Sequence, residues 1–518
     1  MKSIPEILHL KIKRTCVLPV LVLMFFSCTG KTGKEVPNVV IIYADDMGYG
    51  DLNIQNQDSK IPTPQLDKLA SEGVRFTDAH SSSGICSPSR YALLTGTYHW
   101  RRQHGIVGAF GKPFFNESDI TLPQVLQENG YATACIGKWH LGWNWVFKNP
   151  PSGEVTQWGR KTNFYLPEEI DWTKPVSGGP LDRGFDYYFG DGTINFPPYA
   201  WMENDQMIDA PTEIMDINDI GYEVKEGNWE FRPGPKVKGW NPYEVLPTIT
   251  KKAKEWIGQR TNEKPFFLYF SLPSPHAPII PNEEFDGKSK AGAYGDFVNQ
   301  TDWVIGQVLK AIQENGFEEN TIVIFTSDNG PEHYAFERGE KYGHFSMGNL
   351  RGLKRDVWEG GHRVPFIVKW PGHIQAGVTS GKLVSQIDIM ATLSALIGIK
   401  LQDDVAPDSY HFLPFLSQNP ENLPQREVLI HNTMENRWAV RKGDWLYIND
   451  STGQHSMMPE SFSQLREYIN YTTPGLLFNL ATDPGQRINQ YQLHPELVDK
   501  MDKLISESKE NGYLIKDE

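Results

Sequence analysis

Six short runs hold the residues of this chain that could do chemistry. Asp45 and Asp46 close 37-PNVVIIYADD-46, Cys86 and Arg90 stand in 84-GICSPSR-90, and Lys138 and His140 lie in 137-GKWHLG-142. His276 ends 265-PFFLYFSLPSPH-276, Asp328 and Asn329 close 321-TIVIFTSDNG-330, and Lys354 lies in 349-NLRGLKRDVWEGG-361. Three carboxylates and an amide oxygen form a hard donor set, suited to Ca²⁺, with Mg²⁺ second, and not to a soft transition metal. Singly, an Asp-Asp pair can cap a helix and Asp-Asn-Gly can make a turn. Together at strand ends they favour a divalent cation, because carboxylates cannot share a dry site without a counter-charge. Arg90, Lys138, His140, His276 and Lys354 supply a planar guanidinium, two ammoniums and two imidazoles, which suit the oxygens of a tetrahedral anion such as sulfate or phosphate. A lone lysine is usually solvated and a lone loop histidine usually satisfied. The argument for function is therefore where the strands deliver them.

The elements that must deliver them alternate. Strand-like apolar runs at 37–46, 131–139, 265–276, 321–330 and 364–372 are interleaved with helix patterns at 63–73, 122–130, 244–260, 293–316 and 385–398. Such alternation predicts an α/β fold, a mostly parallel sheet sandwiched by helices, with ligands gathered beyond the carboxyl ends of the strands. Every candidate except Cys86, Arg90 and Lys354 falls just past such an end. Residues 143–241, rich in Pro, Gly, Trp and Tyr and without periodicity, read as long loops walling a pocket. From residue 403 the chain changes character, with short alternating strands over 427–450 and a polar amphipathic helix at 490–510. The expected division is a catalytic domain at 36–402 and a smaller C-terminal α+β subdomain with a short antiparallel sheet at 403–518.

The bulk properties exclude some partners. A net charge of -14 over 518 residues gives no basic footprint for nucleic acid or an anionic membrane surface. Lys2, Lys11, Lys13 and Arg14 precede a short apolar run that ends at Ser27-Cys28, the pattern of an export signal over 1–28. Cys28 is placed for lipidation, which would tether a folded domain to an envelope membrane in the periplasm or at the cell surface; ordinary secretion is the alternative. Cys86 and Cys135 then remain in the folded part. A disulfide between them is possible, but a chain this long does not need a staple, and a cysteine isolated in a polar loop is a candidate for chemistry.

At this point the motifs resemble a family. The run 86-CSPSRYALLTG-96 is similar to the full signature of the type I sulfatases, and 137-GKWHLG-142 to their second motif. The segments 44-ADDMGYGDL-52, 275-PHAP-278, 327-SDNGP-331 and 349-NLRGLKRDVWEGGHRVP-365 follow in the family's order. The resemblance implies an alkaline-phosphatase-like fold and a hydrolase of sulfate esters. It also implies that Cys86 is oxidised by a formylglycine-generating maturation enzyme to Cα-formylglycine (3-oxoalanine). The hydrated aldehyde offers two geminal hydroxyls, one to attack sulfur and one to release sulfate. By the same resemblance Asp45, Asp46, Asp328 and Asn329 hold Ca²⁺, with an oxygen of residue 86 completing the shell. Arg90 holds the aldehyde, Lys138 and Lys354 bind sulfate oxygens, His140 is a base, and His276 or Lys354 serves the leaving alkoxide. The chain departs from the family around Lys354, where it reads Leu-Lys-Arg-Asp and many relatives have a glycine next to the lysine. Residues 183–205 and 342–352 resemble carbohydrate sulfatases related to N-acetylgalactosamine-6-sulfatase and arylsulfatase A. The implied substrate is a sulfated galactose or N-acetylgalactosamine, 4-O or 6-O, cleaved by exo action during glycan degradation, with Arg102, His104, Glu203 and His344 as sugar contacts. Two rivals stand. A phosphodiesterase or phosphonate hydrolase of the alkaline-phosphatase superfamily would be favoured by a second set of metal ligands, and no spare Asp-His pair is read on another strand end. An inactive glycan-binding lipoprotein would be expected to have lost a site residue, and none is missing.

Overall fold

The computed structural model describes residues 36–157, 160–416, 426–434 and 436–511. The leader expected over 1–28, with its lipidation candidate Cys28, lies outside the described residues. Among the described residues no helix is long and apolar enough to cross a membrane.

Ten strands make the main sheet: β1 (Asn38–Ala44), β2 (Val74–His80), β3 (Ala132–Lys138), β4 (Tyr187–Gly192), β5 (Met202–Glu203), β6 (Gln206–Met207), β7 (Phe266–Ser271), β8 (Thr321–Ser327), β9 (Phe366–Lys369) and β10 (Val378–Ser385). Their spatial order is β10-β2-β9-β8-β1-β7-β3-β4-β5-β6. The middle five, β8 to β4, run parallel, with Val39 of β1 level with Ile322 on one side and Phe267 on the other. Every residue of β1, β3, β7 and β8 is buried, which is why each reads as one apolar run and not as an alternation. The period of two is still at work beneath that run. Val40, Ile42, Ala134, Ile136, Leu268 and Phe270 pack on one face with helices α1 (Pro64–Ser71), α4 (Val245–Gly258) and α5 (Gly292–Glu314). Val39, Ile41, Cys135, Phe267 and Tyr269 pack on the other with α2 (Cys86–Thr95), α3 (Leu122–Glu128) and α6 (Asp388–Leu396).

Three local expectations are corrected. The strand expected at 364–372 is β9, and it runs antiparallel to both β8 and β2; a short apolar run carries no signal of direction. The stretch 143–241 is not only loop, since its 187-YYFGDG-192 segment is β4, parallel to β3; two glycines and no alternation hide it. Cys86 is not in a loop but is the first residue of α2, a helix whose every residue is buried. Its N-cap, Ile85, offers no side-chain cap, so the usual start signal is missing.

A second, four-stranded antiparallel sheet follows in order β11 (Val428–Met434), β12 (Arg437–Lys442), β13 (Trp445–Ile448) and β14 (Leu476–Asn479). Helix α7 (Pro495–Asn511) turns Val498, Met501 and Ile505 onto it, and this core continues into Ala92, Tyr98 and Ile387 beside the main sheet.

Candidate active site

The parallel strands bring the dispersed polar residues together. Asp45 and Asp46 follow β1 directly, Asp328 and Asn329 follow β8, Lys138 ends β3, and His276 stands five residues past β7. Backbone bonds join these ends: Asp328 N donates to Ala44 O at 3.1 Å and Asp45 N to Ser274 O at 3.0 Å. Gly330 follows Asn329 because a Cβ there would lie 1.9 Å from the Gly360 carbonyl oxygen. Helix α2 arrives from beneath with Cys86 and Arg90 one turn apart, hence on one face.

The centre is buried and dense with charge. Cys86 Sγ lies 3.6 Å from Asp45 Oδ1. Lys138 Nζ pairs with Asp45 Oδ2. Arg90 Nη2 is 2.9 Å from Asp328 and 3.5 Å from Asp45, while its Nη1 donates to Ser271 Oγ at 2.5 Å. Lys354 Nζ is 2.7 Å from Asp46 Oδ1, and His276 Nε2 is 3.7 Å from Asp46 Oδ2. Asn329 Nδ2 donates to Asp46 Oδ1 at 2.7 Å, and Asp46 N donates to Asp328 Oδ1 at 3.1 Å. Asp46 and His140 hold left-handed backbones, with φ of 62° and 54°, a conformation that non-glycine residues keep only where their surroundings impose it.

The electrostatics follow. Burial pushes the Cys86 thiol far up, so the nearby lysines do not make it a thiolate. Burial and the adjoining Asp45 carboxylate push Asp328 up to about 7. Burial also opposes the charge on Asp45, yet Lys138, His276 and Arg90 hold it well below the usual range. Burial, then Lys138 and Arg90, lower His140, so the imidazole is neutral. Its Nε2 meets the Val107 carbonyl at 3.0 Å and therefore carries the hydrogen, leaving Nδ1 with a free lone pair and no partner. The donor set fits a hard cation on a further observation. Asn329 Oδ1 is buried without a hydrogen-bond partner among Asp45, Asp46 and Asp328, an orphan that a divalent ion would satisfy.

The expected sugar contacts are dispersed. His344 is fully buried with both ring nitrogens occupied, Nε2 by Asp51 at 2.9 Å and Nδ1 by the Lys60 backbone N–H at 3.3 Å. It braces the loop after β1 and has no free atom for a ligand. Glu203 on β5 accepts from Tyr187 Oη at 2.7 Å and lines a cavity beside Ala132 and Thr133, at the start of β3 and so at the opposite sheet edge. Arg102 donates to the Phe114 carbonyl at 2.9 Å, and His104 packs against His99 and Trp438. Cys86 and Cys135 are both free. The sequence reading missed Glu332 and Ser271. Glu332 is the acidic residue four past Asp328, a spacing that could have flagged it; Ser271 carried no signal beyond its place at a strand end.

Carboxylates and cations interleaved in one buried centre at the carboxyl edge of a doubly covered parallel sheet suit a hydrolase for esters of tetrahedral oxyanions. The sulfatase family profile matches residues 37–399, and a profile named for the C-terminal part of N-sulphoglucosamine sulphohydrolase matches 352–511. The chain belongs to the sulfatase family, and is a sulfuric ester hydrolase. It is 33% identical to an N-acetylgalactosamine-6-O-sulfatase of Bacteroides thetaiotaomicron, over 95% of this chain and 98% of the relative. It is 30% identical to human N-acetylgalactosamine-6-sulfatase, over 88% and 81%. A solved B. thetaiotaomicron 6S-sulfatase, described with the metabolism of multiple glycosaminoglycans, superposes with a TM-score of 0.74 at 32% identity, covering 92% of this chain and 99% of that one.

Proposed function

We propose that this enzyme removes sulfate from carbohydrates by exo action, on N-acetylgalactosamine or galactose bearing a 6-O-sulfate, during glycan breakdown. The placement of Cys86 carries the reading: a thiol too buried to ionise, 3.6 Å from a carboxylate of a hard-metal site, makes sense as the precursor of formylglycine and not as a thiolate nucleophile. The names of the relatives at 33% and 30% identity support the sugar and the position.

Asp45, Asp46, Asp328 and Asn329 would hold Ca²⁺, which supplies charge neutralisation for the sulfate and for the attacking hydroxyl when bound. Arg90, clamped by Asp328 and Ser271, fixes residue 86 through α2. Lys138 and Lys354 bind sulfate oxygens as point charges. His140 Nδ1, neutral and unpartnered, accepts the proton of the second hydroxyl. His276 Nε2 and Lys354 Nζ, both facing Asp46, serve the departing oxygen and its proton. Residues 36–402 would carry this chemistry. Export through the 1–28 leader, with a lipid on Cys28, would place the enzyme in the periplasm or at the cell surface, where its sulfated glycan substrates arrive. Maturation by a formylglycine-generating enzyme is required first.

The test is a parallel assay of the matured protein on 4-nitrophenyl sulfate, 4-nitrophenyl phosphate, a phosphodiester and a panel of 4-O- and 6-O-sulfated monosaccharides. Release of sulfate from 6-O-sulfated N-acetylgalactosamine or galactose above the others is expected. Faster phosphate or phosphodiester turnover would overturn the reading.

A further inference from the structure

Arg355, which follows Lys354 directly, adopts a φ of 82°, a left-handed value that a side chain strains to hold and glycine does not. The backbone is kept there by Arg355 N, which donates at 2.7 Å to the carbonyl of Gly84, two residues before Cys86. The side chain is 37% exposed at the rim of the otherwise buried centre, and Nη1 meets Glu332 Oε1 at 2.6 Å. That one carboxylate also lies 3.5 Å from Lys354 Nζ and 2.9 Å from His333 Nδ1. Lys354 has its nearer partner in Asp46 at 2.7 Å, so Glu332 is chiefly the partner of Arg355 and holds one edge of its guanidinium. The outer face of a rigid guanidinium fork is left toward solvent beside the ammonium expected to bind the sulfate being cleaved.

Resting on the sulfatase reading, we infer that Arg355 is a specificity-determining residue that binds a second anionic group of the substrate, a sulfate or a carboxylate next to the ester that is cleaved. A guanidinium suits either oxyanion, because two parallel N–H donors match two oxygens. Backbone strain kept at the edge of a site is consistent with a side chain retained for contact and not for the fold.

The test compares the wild type, Arg355→Gly, Arg355→Lys and the double variant Arg355→Gly with Glu332→Gln. Each is assayed on N-acetylgalactosamine 6-sulfate, on N-acetylgalactosamine 4,6-disulfate and on a 6-sulfated disaccharide carrying a uronate. Glycine suits the local φ, so the fold is retained. The ratio of kcat/KM for the dianionic substrate over the monosulfate is expected to fall roughly tenfold or more in Arg355→Gly, the scale of one charge-assisted hydrogen bond. Lysine should restore part of it, and the double variant should stay low; whichever arm loses more identifies the second anion as sulfate or carboxylate. An unchanged ratio in Arg355→Gly overturns the inference. So does a ratio restored in the double variant, which would assign the loss to the uncovered Glu332 carboxylate. Failure of the underlying reading is distinct: the wild type would then release sulfate from none of these substrates, nor from 4-nitrophenyl sulfate.

Discussion

Two buried clusters of charge in this molecule look alike in composition and differ in how they are satisfied. Where the C-terminal part meets the main sheet, Arg426 grips Asp388 with Nε and Nη2 at 2.9 and 2.5 Å. Asp388 also accepts from the Ser385 and Tyr410 backbones, each at 2.8 Å. Asp408 accepts from Tyr98 N at 2.8 Å and Arg101 Nε at 2.7 Å, so these carboxylates have partners suited to them. At the carboxyl edge of the sheet, by contrast, Asp45, Asp46 and Asp328 face one another, Asp328 is pushed up to about 7, and Asn329 Oδ1 and His140 Nδ1 have no partner. The carboxylates of the first cluster are met by donors from the chain itself; the second leaves a metal-type oxygen and an imidazole nitrogen for what binds.

Substitutions should separate the two. The largest effect is expected at Cys86→Ala, where the nucleophile cannot be made. Steady-state assays with 4-nitrophenyl sulfate should show kcat/KM down by about 10⁴-fold or more, with the urea midpoint little changed. Asp388→Ala should do the reverse. Arg426 would be left buried and uncompensated, costing about 3–5 kcal/mol in urea unfolding, with activity per folded molecule retained.

The orphaned amide oxygen of Asn329 gives a third contrast. Adding Ca²⁺ to about 100 times its Kd should stabilise the chelated protein by about 2.7 kcal/mol, and Asn329→Ala should weaken that gain, while Asp388→Ala should leave it intact. Thermal melts with and without chelator read this directly. The smallest effect, taken over a single pH unit, is pH-dependent and rests on a histidine between Tyr98 and Arg101. Burial, with His104 beside it, lowers His99 to about 3. An unfolded histidine takes its proton near 6.5, so the stability His99 contributes is present above that pH and is lost as pH falls from about 6.5 toward 3, by up to about 1.4 kcal/mol per unit. His99→Gln should flatten the dependence of the melting temperature over this window.

Much of this was legible because buried parallel strands write themselves as apolar runs and end in their functional residues. Asp45, Asp46, Lys138, Asp328 and Asn329 could be placed on one edge before any coordinates. What escaped has physical causes. The 187–192 strand has two glycines and is covered on both faces, so neither composition nor period marks it. The direction of the 366–369 strand is set by its neighbours and not by its own residues. His344 and Glu203 lie in segments that resemble carbohydrate sulfatases, which suggested sugar contacts; one serves a loop through both ring nitrogens and the other lies at the far end of the sheet. The strain at Arg355 is invisible in a sequence, although the departure around Lys354 pointed to a different backbone there.

The central claim, that the thiol of Cys86 is a precursor and not the nucleophile, meets its most direct test in mass spectrometry of the peptide containing residue 86, taken from protein that is active on 4-nitrophenyl sulfate. The account predicts a mass about 18 Da below that of the cysteine peptide, from replacement of CH₂SH by CHO. An unmodified thiol throughout fully active protein would contradict it.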